Sequence, residues 1–187
     1  MRFCSIASGS SGNCIYVGSD NTHVLVDIGI SGKKMETGLN SLELTGRDLD
    51  GILITHEHSD HIKGLGVISR KYGIPIYATA GTVDAMVRTN ALGKIPEGIF
   101  HEIQENEPFM INDLKVNPFT IPHDAAQPVG YRLEHEGHSV GIATDLGKYN
   151  DYIIENLQGL DALLLEANHD IRMLQVGKYP YYLKQRI

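Results

Sequence analysis

Six consecutive residues, His56-Glu57-His58-Ser59-Asp60-His61, hold three of the chain's nine histidines. They follow directly on the apolar run Gly51-Ile52-Leu53-Ile54-Thr55. That run is continuous, β-branched and bounded by Asp50-Gly51, which predicts a buried strand. Just past a strand end, residues two apart point to the same side, so His56 and His58 can meet one metal ion. Asp60 and His61 fall where the chain turns and can face a second ion beside the first. Imidazole nitrogen and carboxylate oxygen are the ligands that zinc or manganese takes.

H-x-H-x-D-H behind an apolar strand resembles the signature of the metallo-β-lactamase-fold hydrolases. The resemblance implies an α/β (α+β) chain folded as an αββα sandwich, with its site on one edge, built from loops at strand ends.

A length of 187 residues suits one domain with a proper core. Hydrophobic content of 42% and charge of 21% are those of a globular protein, and no apolar run reaches transmembrane length, so no membrane partner is expected. The start, Met1-Arg2-Phe3-Cys4-Ser5, runs within a few residues into Gly and Ser and lacks the apolar core of a signal peptide. Cys4 and Cys14 form neither a disulfide framework nor a C-x-x-C motif, which points to a reduced, cytoplasmic setting. The net charge of −7 argues against a non-specific nucleic-acid binder, although bound dications would reverse the sign at the site itself.

Along the chain, Phe3 to Ala7 and Ile15 to Val17 read as strands joined by Ser8-Gly9-Ser10-Ser11-Gly12-Asn13. That connection is a loop of turn residues, and its small side chains would also let backbone amides approach a phosphate. Ser10, Ser11 and Asn13 are therefore candidate substrate contacts. Thr22 to Val26 is a strand ending in Asp27-Ile28-Gly29. The Asp27 carboxylate is placed to accept the second ring N–H of a metal-bound histidine. Helices are expected over Lys33 to Leu42 and Ile62 to Tyr72, the latter stopped by Gly73. Ile74 to Ala78 reads as an edge strand or a strand start because of Pro75, and Thr82 as the N-cap of a helix from Val83 to Leu92. Phe109 to Ile111 pairs with Leu114 to Phe119 across Asn112-Asp113, and Val129 to Glu134 with His138 to Thr144 across Glu136-Gly137. His123 and Asp145 then stand at strand ends, as His56 does, and Asp145 has the placement needed to bridge two ions. Asp161 to Glu166 is a last strand, running into Ala167-Asn168-His169-Asp170.

Carried over residue by residue, the resemblance implies that His56, His58 and His123 hold a first divalent ion. Asp60 and His61 would hold a second, zinc or manganese in either case, with Asp145 bridging and Asp27 in support. Within the superfamily, Ser8 to Cys14, His123-Asp124-Ala125 and Leu165 to Asp170 resemble the WalJ/YycJ-type bacterial exonucleases, which implies double-stranded DNA as substrate, attacked from the 5′ end by a metal-bridging hydroxide. Asp60 and His169 are the candidate catalytic residues, Asp60 orienting the hydroxide and His169 lying near substrate or behind the ligands. The family completes its second metal with a histidine in a downstream Gly-His motif, and no histidine follows His169 here. The expectation is a single domain over 1–187 with the family's C-terminal part absent, a weakly held second ion, and a possible homo-oligomer formed through exposed core surface. A β-lactamase places a cysteine where Asp145 stands. Thioester hydrolases and lactonases share the H-x-H-x-D-H set and stay as alternatives, as does a catalytically incomplete metal- or DNA-binding remnant.

Overall fold

The alternation of side chains along β2 (Cys14–Gly18) and β3 (His23–Val26) shows how the layers form. Ile15, Val17, Val24 and Val26 face one core, while Cys14, Tyr16 and Leu25 face another. Both faces are covered, so these strands read as unbroken apolar runs. The computed structural model describes residues 1–165. Glu166 and everything after it, including His169, lie outside the described residues.

Among the described residues the chain forms two sheets. The first adds β1 (Arg2–Ala7), β4 (Gly51–Leu53), β5 (Ile76–Thr79) and β6 (Phe100–Ile103), in the order β1-β2-β3-β4-β5-β6. Its first two pairings are antiparallel, and the pairings from β3 to β6 are parallel. The second sheet is β11-β10-β9-β8-β7, built from β7 (Phe109–Ile111), β8 (Leu114–Thr120), β9 (Val129–His135), β10 (His138–Ala143) and β11 (Ala162–Leu165). Only β10 and β11 pair in parallel there.

Between the sheets, Ile15, Val26 and Leu53 pack with Val116, Tyr131 and Ile142. On the far face of the first sheet lie α1 (Gly32–Ser41), α3 (Leu65–Tyr72) and α4 (Ala80–Arg88), through Met35, Leu39, Leu65, Ile68 and Met86. On the far face of the second, α5 (Asp151–Leu157) packs Ile153 with Phe119, Ile121 and Ala143. The result is the αββα sandwich.

Several details differ from the sequence expectation. The helix expected from Ile62 is broken into α2 (Ser59–Ile62) and α3, because Gly64 gives its N–H to Ile28 O at 2.8 Å and passes where a Cβ would lie 2.1 Å from Ile30 O. Pro75 precedes a strand with partners on both sides, so β5 is interior and the proline marks its start. Thr82 lies inside α4, one turn beyond the N-cap position, where Thr79 stands. Its hydroxyl reaches Gln127 O instead, at 3.3 Å. Neither β6 nor α5 was expected, since Phe-His-Glu-Ile and a seven-residue helix carry too little periodic signal.

The ends of β3 and β4 are stitched to the six-residue motif. Asp27 N donates to Leu53 O at 2.9 Å, Ile28 N to His61 O at 2.8 Å, and Asn13 N to Asp60 O at 2.8 Å. Gly29 makes this crossing possible, because a Cβ there would stand 1.5 Å from Asp60 O. Gly29→Ala is expected to cost about 3 kcal/mol or more, since backbone rather than a flexible side chain must move. Urea denaturation of the metal-free chain measures it, and an unchanged midpoint would refute this account of the crossing.

Candidate metal centre

Four chain segments deliver the polar residues to one edge of the sandwich. β3 ends at Asp27 and β4 runs through Ile54 to Thr55 and His56, both buried. The β8–β9 connection carries His123, and β10 ends beside Asp145. Asp27 and Asp145 both have positive φ, 61° and 56°. The left-handed conformation costs a non-glycine residue on the order of 1–2 kcal/mol. Here it turns each carboxylate off its strand and into the cluster.

Asp27 is fully buried and accepts three hydrogen bonds. They come from Thr55 N at 2.9 Å, Thr55 Oγ1 at 2.8 Å and His61 Nδ1 at 2.8 Å. The Thr55 hydroxyl spends its only proton on Asp27, so at 3.0 Å from His56 Nδ1 it accepts. Both histidines thus carry a proton on Nδ1 and turn Nε2 into the cleft. His56 Nε2 is buried and has no hydrogen-bond partner among the described residues. A buried nitrogen left open in this way is the observation that fits a bound cation.

Two groups of ligand atoms result, each with all members within 4.8 Å of one another: His56, His58 and His123, and His56, His61 and Asp145. His123 Nε2 lies 3.1 Å from His58 Nδ1, and His61 Nε2 lies 2.9 Å from Asp145 Oδ2. Asp60 stands just outside, its Oδ2 3.6 Å from His61 Nε2, with its side chain 30% exposed at the mouth. The structure therefore brings together His56, His58, Asp60, His61, His123, Asp145 and Asp27. It separates Ser10 and Ser11, which are exposed, from Asn13, which is buried with its Nδ2 3.1 Å from His61 Nε2.

Charge follows from this packing. Burial, then the neighbouring His61 and His123, push His56 down to about 2, so its ring is neutral. Burial likewise lowers His123. For His61 burial acts the same way, but the Asp27 and Asp145 carboxylates outweigh it and lift the ring to about 10. Burial works against the Asp145 carboxylate, yet the His61 hydrogen bond and the surrounding rings hold it below its ordinary value.

Three supporting residues escaped sequence reasoning. Thr55 offered only its place beside His56. Glu57 Oε1 accepts Ala126 N at 2.8 Å and so anchors the loop carrying His123. Gln127 ties that loop to α4, its Oε1 accepting Gly81 N at 2.8 Å.

A family model described as a beta-lactamase superfamily domain matches residues 22–178. The chain is 41% identical over all 187 residues to an exodeoxyribonuclease YycJ of Bacillus anthracis, covering 70% of that relative's length. It is 40% identical over the same span to an exodeoxyribonuclease WalJ of Streptococcus pneumoniae, again covering 70% of it. In fold it is similar to zinc-bound PqqB from Methylobacterium extorquens, with a TM-score of 0.72 at 18% identity over 93% of this chain and 67% of that one.

Replacing Thr55 by Val keeps the strand and removes the hydroxyl that orients His56 and Asp27. Affinity for Mn²⁺ is expected to fall roughly 10–100-fold, read by calorimetric titration. In the metal-free chain His56 and His123 take up protons less readily than in the unfolded chain, so their contribution is lost as pH falls below about 6.5. His61 has the opposite sign: its contribution is complete below about 6.5 and disappears as pH rises through about 10. Urea denaturation against pH should show the alkaline loss, and His61→Gln should flatten it. An equal slope in the variant would contradict the assignment.

Proposed function

The chain belongs to the metallo-β-lactamase-fold superfamily, and from that premise we propose that this metal-dependent hydrolase is a phosphodiesterase acting on DNA, a 5′-to-3′ exonuclease, a reading supported by its similarity over all 187 residues to two exodeoxyribonucleases. The observation that carries the reading is the Asp145 carboxylate standing beside His56 and His61, with the second histidine set, His58 and His123, sharing His56. A donor set of this kind fits divalent metal, and such ions would supply the positive charge that phosphoryl transfer needs.

In this proposal His56, His58 and His123 would hold one ion, and Asp60, His61 and Asp145 would serve a second. Zinc and manganese both accept this mixture of imidazole and carboxylate. Bound divalent metal supplies Lewis-acid charge for activating water and for neutralising the phosphate. The protein's own residues do the rest. Thr55 and Asp27 hold the His56 and His61 rings in one tautomer and one direction. Asp60, at the mouth, accepts a hydrogen bond from the attacking water and aims it. Ser10 and Ser11, exposed on the Gly-rich loop, face incoming substrate. No helix among the described residues is long and apolar enough to cross a membrane. The free thiols of Cys4 and Cys14 fit the reduced cytoplasm we propose for it.

Hydrolysis of a 5′-phosphorylated duplex with added Mn²⁺ or Zn²⁺ is the test. Wild-type chain should release mononucleotides from the 5′ end, and His58→Ala should lower the rate by roughly 10²-fold or more, as loss of metal-assisted catalysis requires. Turnover of a thioester or lactone in place of DNA would overturn the reading.

A further inference from the structure

Positive charge in this acidic chain gathers beside the mouth of the metal centre. Residues 28–42 and 61–78 carry Lys33, Lys34, Lys63, Arg70 and Lys71 against a single carboxylate, Glu36, in a chain of net charge −7. All five basic residues are exposed. Lys71 and Tyr72 engage Glu36, and Arg70 Nη1 donates to Leu92 O and Lys94 O, each at 2.9 Å. Lys33, Lys34 and Lys63 form no ion pair among the described residues.

The backbone brings these three lysines together. Lys63 caps α2 three residues after Asp60, on the same side of the helical turn and about 4.5 Å further along it. The 28–32 segment runs beside that turn, with Ile28 N donating to His61 O and Gly64 N to Ile28 O, both at 2.8 Å. Further on, a Cβ on Gly32 would stand 3.0 Å from Ile68 Cδ1 and 3.9 Å from Val67 Cγ1. Lys33 and Lys34, the next two residues, therefore begin α1 beside Lys63. The loop holding the exposed Ser10 and Ser11 lies on the same segment, since a Cβ on Gly12 would stand 2.3 Å from Gly29 O and 3.0 Å from Ile30 Cγ2. Asp60, the serines and the lysines thus border one another. Helix formation does not account for Lys33 and Lys34, because a first turn favours carboxylates and that of α1 has none.

We propose that Lys33, Lys34 and Lys63 form the surface along which duplex DNA approaches the metal centre, each lysine neutralising a backbone phosphate outside the position that is cut. Lysine suits this task, since a point charge on a flexible stem meets phosphates without reading sequence. The remainder of the chain is net negative and repels a polyanion, so the strip also selects the path of approach. This inference rests on the phosphodiesterase reading above.

The test compares a triple variant, Lys33→Gln with Lys34→Gln and Lys63→Gln, with a control, Arg88→Gln with Lys115→Gln, which removes exposed charge elsewhere. The probe is a fluorescent 5′-phosphorylated duplex, made resistant to cutting by phosphorothioate linkages. Its binding to the Mn²⁺-loaded full chain is read by anisotropy over a range of salt, with thermal melting beside it. The triple variant should melt with wild type and bind the duplex roughly tenfold or more weaker. Its plot of log affinity against log salt should flatten by about three, one for each lysine, on any sequence, while the control keeps the wild-type slope. Unchanged binding in the triple variant of a wild type that cuts DNA would overturn this inference alone, as would an equal loss in the control. Loss of binding to phosphatidylglycerol vesicles with duplex binding intact would assign the strip to a membrane surface and also overturn it. A Mn²⁺-loaded wild type that neither binds nor cuts the duplex would overturn the phosphodiesterase reading and this inference with it.

Discussion

The buried Asp27 carboxylate is the interaction on which the rest of the site depends. It ties the end of β3 to the end of β4 through Thr55, and ties both to the helical turn carrying His61. A carboxylate buried without hydrogen-bond partners would cost several kcal/mol. Three hydrogen bonds from groups that are themselves rigid make it tenable. They also convert the cost into orientation, because each donor is held to one geometry. Through Thr55 the effect extends to His56, whose Nε2 is thereby left open to the cleft.

Sheet architecture explains why the other ligands can join. β3 and β4 run parallel, so their C-terminal ends come out on one edge. The second sheet packs face to face with the first, and it presents the loop after β8 and the end of β10 at that same edge. Tyr131 links the two layers directly, its buried hydroxyl donating to Ile54 O at 2.7 Å, two residues before His56. Val129 N donates to Thr55 O at 3.0 Å, closing the seam on the other side of the motif. Within the site, left-handed backbone falls at Asp27 and Asp145, where the surrounding contacts over-determine the backbone. The histidines are packed as rings against rings, His56 with centroids 4.1 Å from His61 and 4.7 Å from His123. Mutual repulsion and burial keep His56 neutral and able to act as a ligand.

Much of this was legible in the residue pattern. Unbroken apolar runs at Ile15 to Val17, Val24 to Val26 and Ile52 to Ile54 announce strands covered on both faces, and Glu136-Gly137 announces a hairpin. The histidine run and the strand-end positions of Asp27, His123 and Asp145 marked the candidate site. Boundaries fared less well where tertiary contacts override local preference. Thr82 looks like a cap by type, yet the chain starts its helix at Ala80 because Thr79 and Gln127 organise that turn. The break at Gly64 is decided by the approach of Ile28 and Ile30 from a distant loop, which no local pattern encodes.

By itself the sequence determined the donor chemistry, the order of strands and turns, and the spacing that lets His56 and His58 share one side, since these follow from side-chain type and the period of an extended chain. Tertiary structure alone decided which atoms of those residues face the cleft. The tautomers of His56 and His61, the burial of Asn13 as against Ser10 and Ser11, and the roles of Thr55, Glu57 and Gln127 depend on hydrogen bonds between segments far apart in the chain. The physical reason is that a ring nitrogen or an amide takes its direction from the partner it finds, and that partner exists only once the sheets have packed.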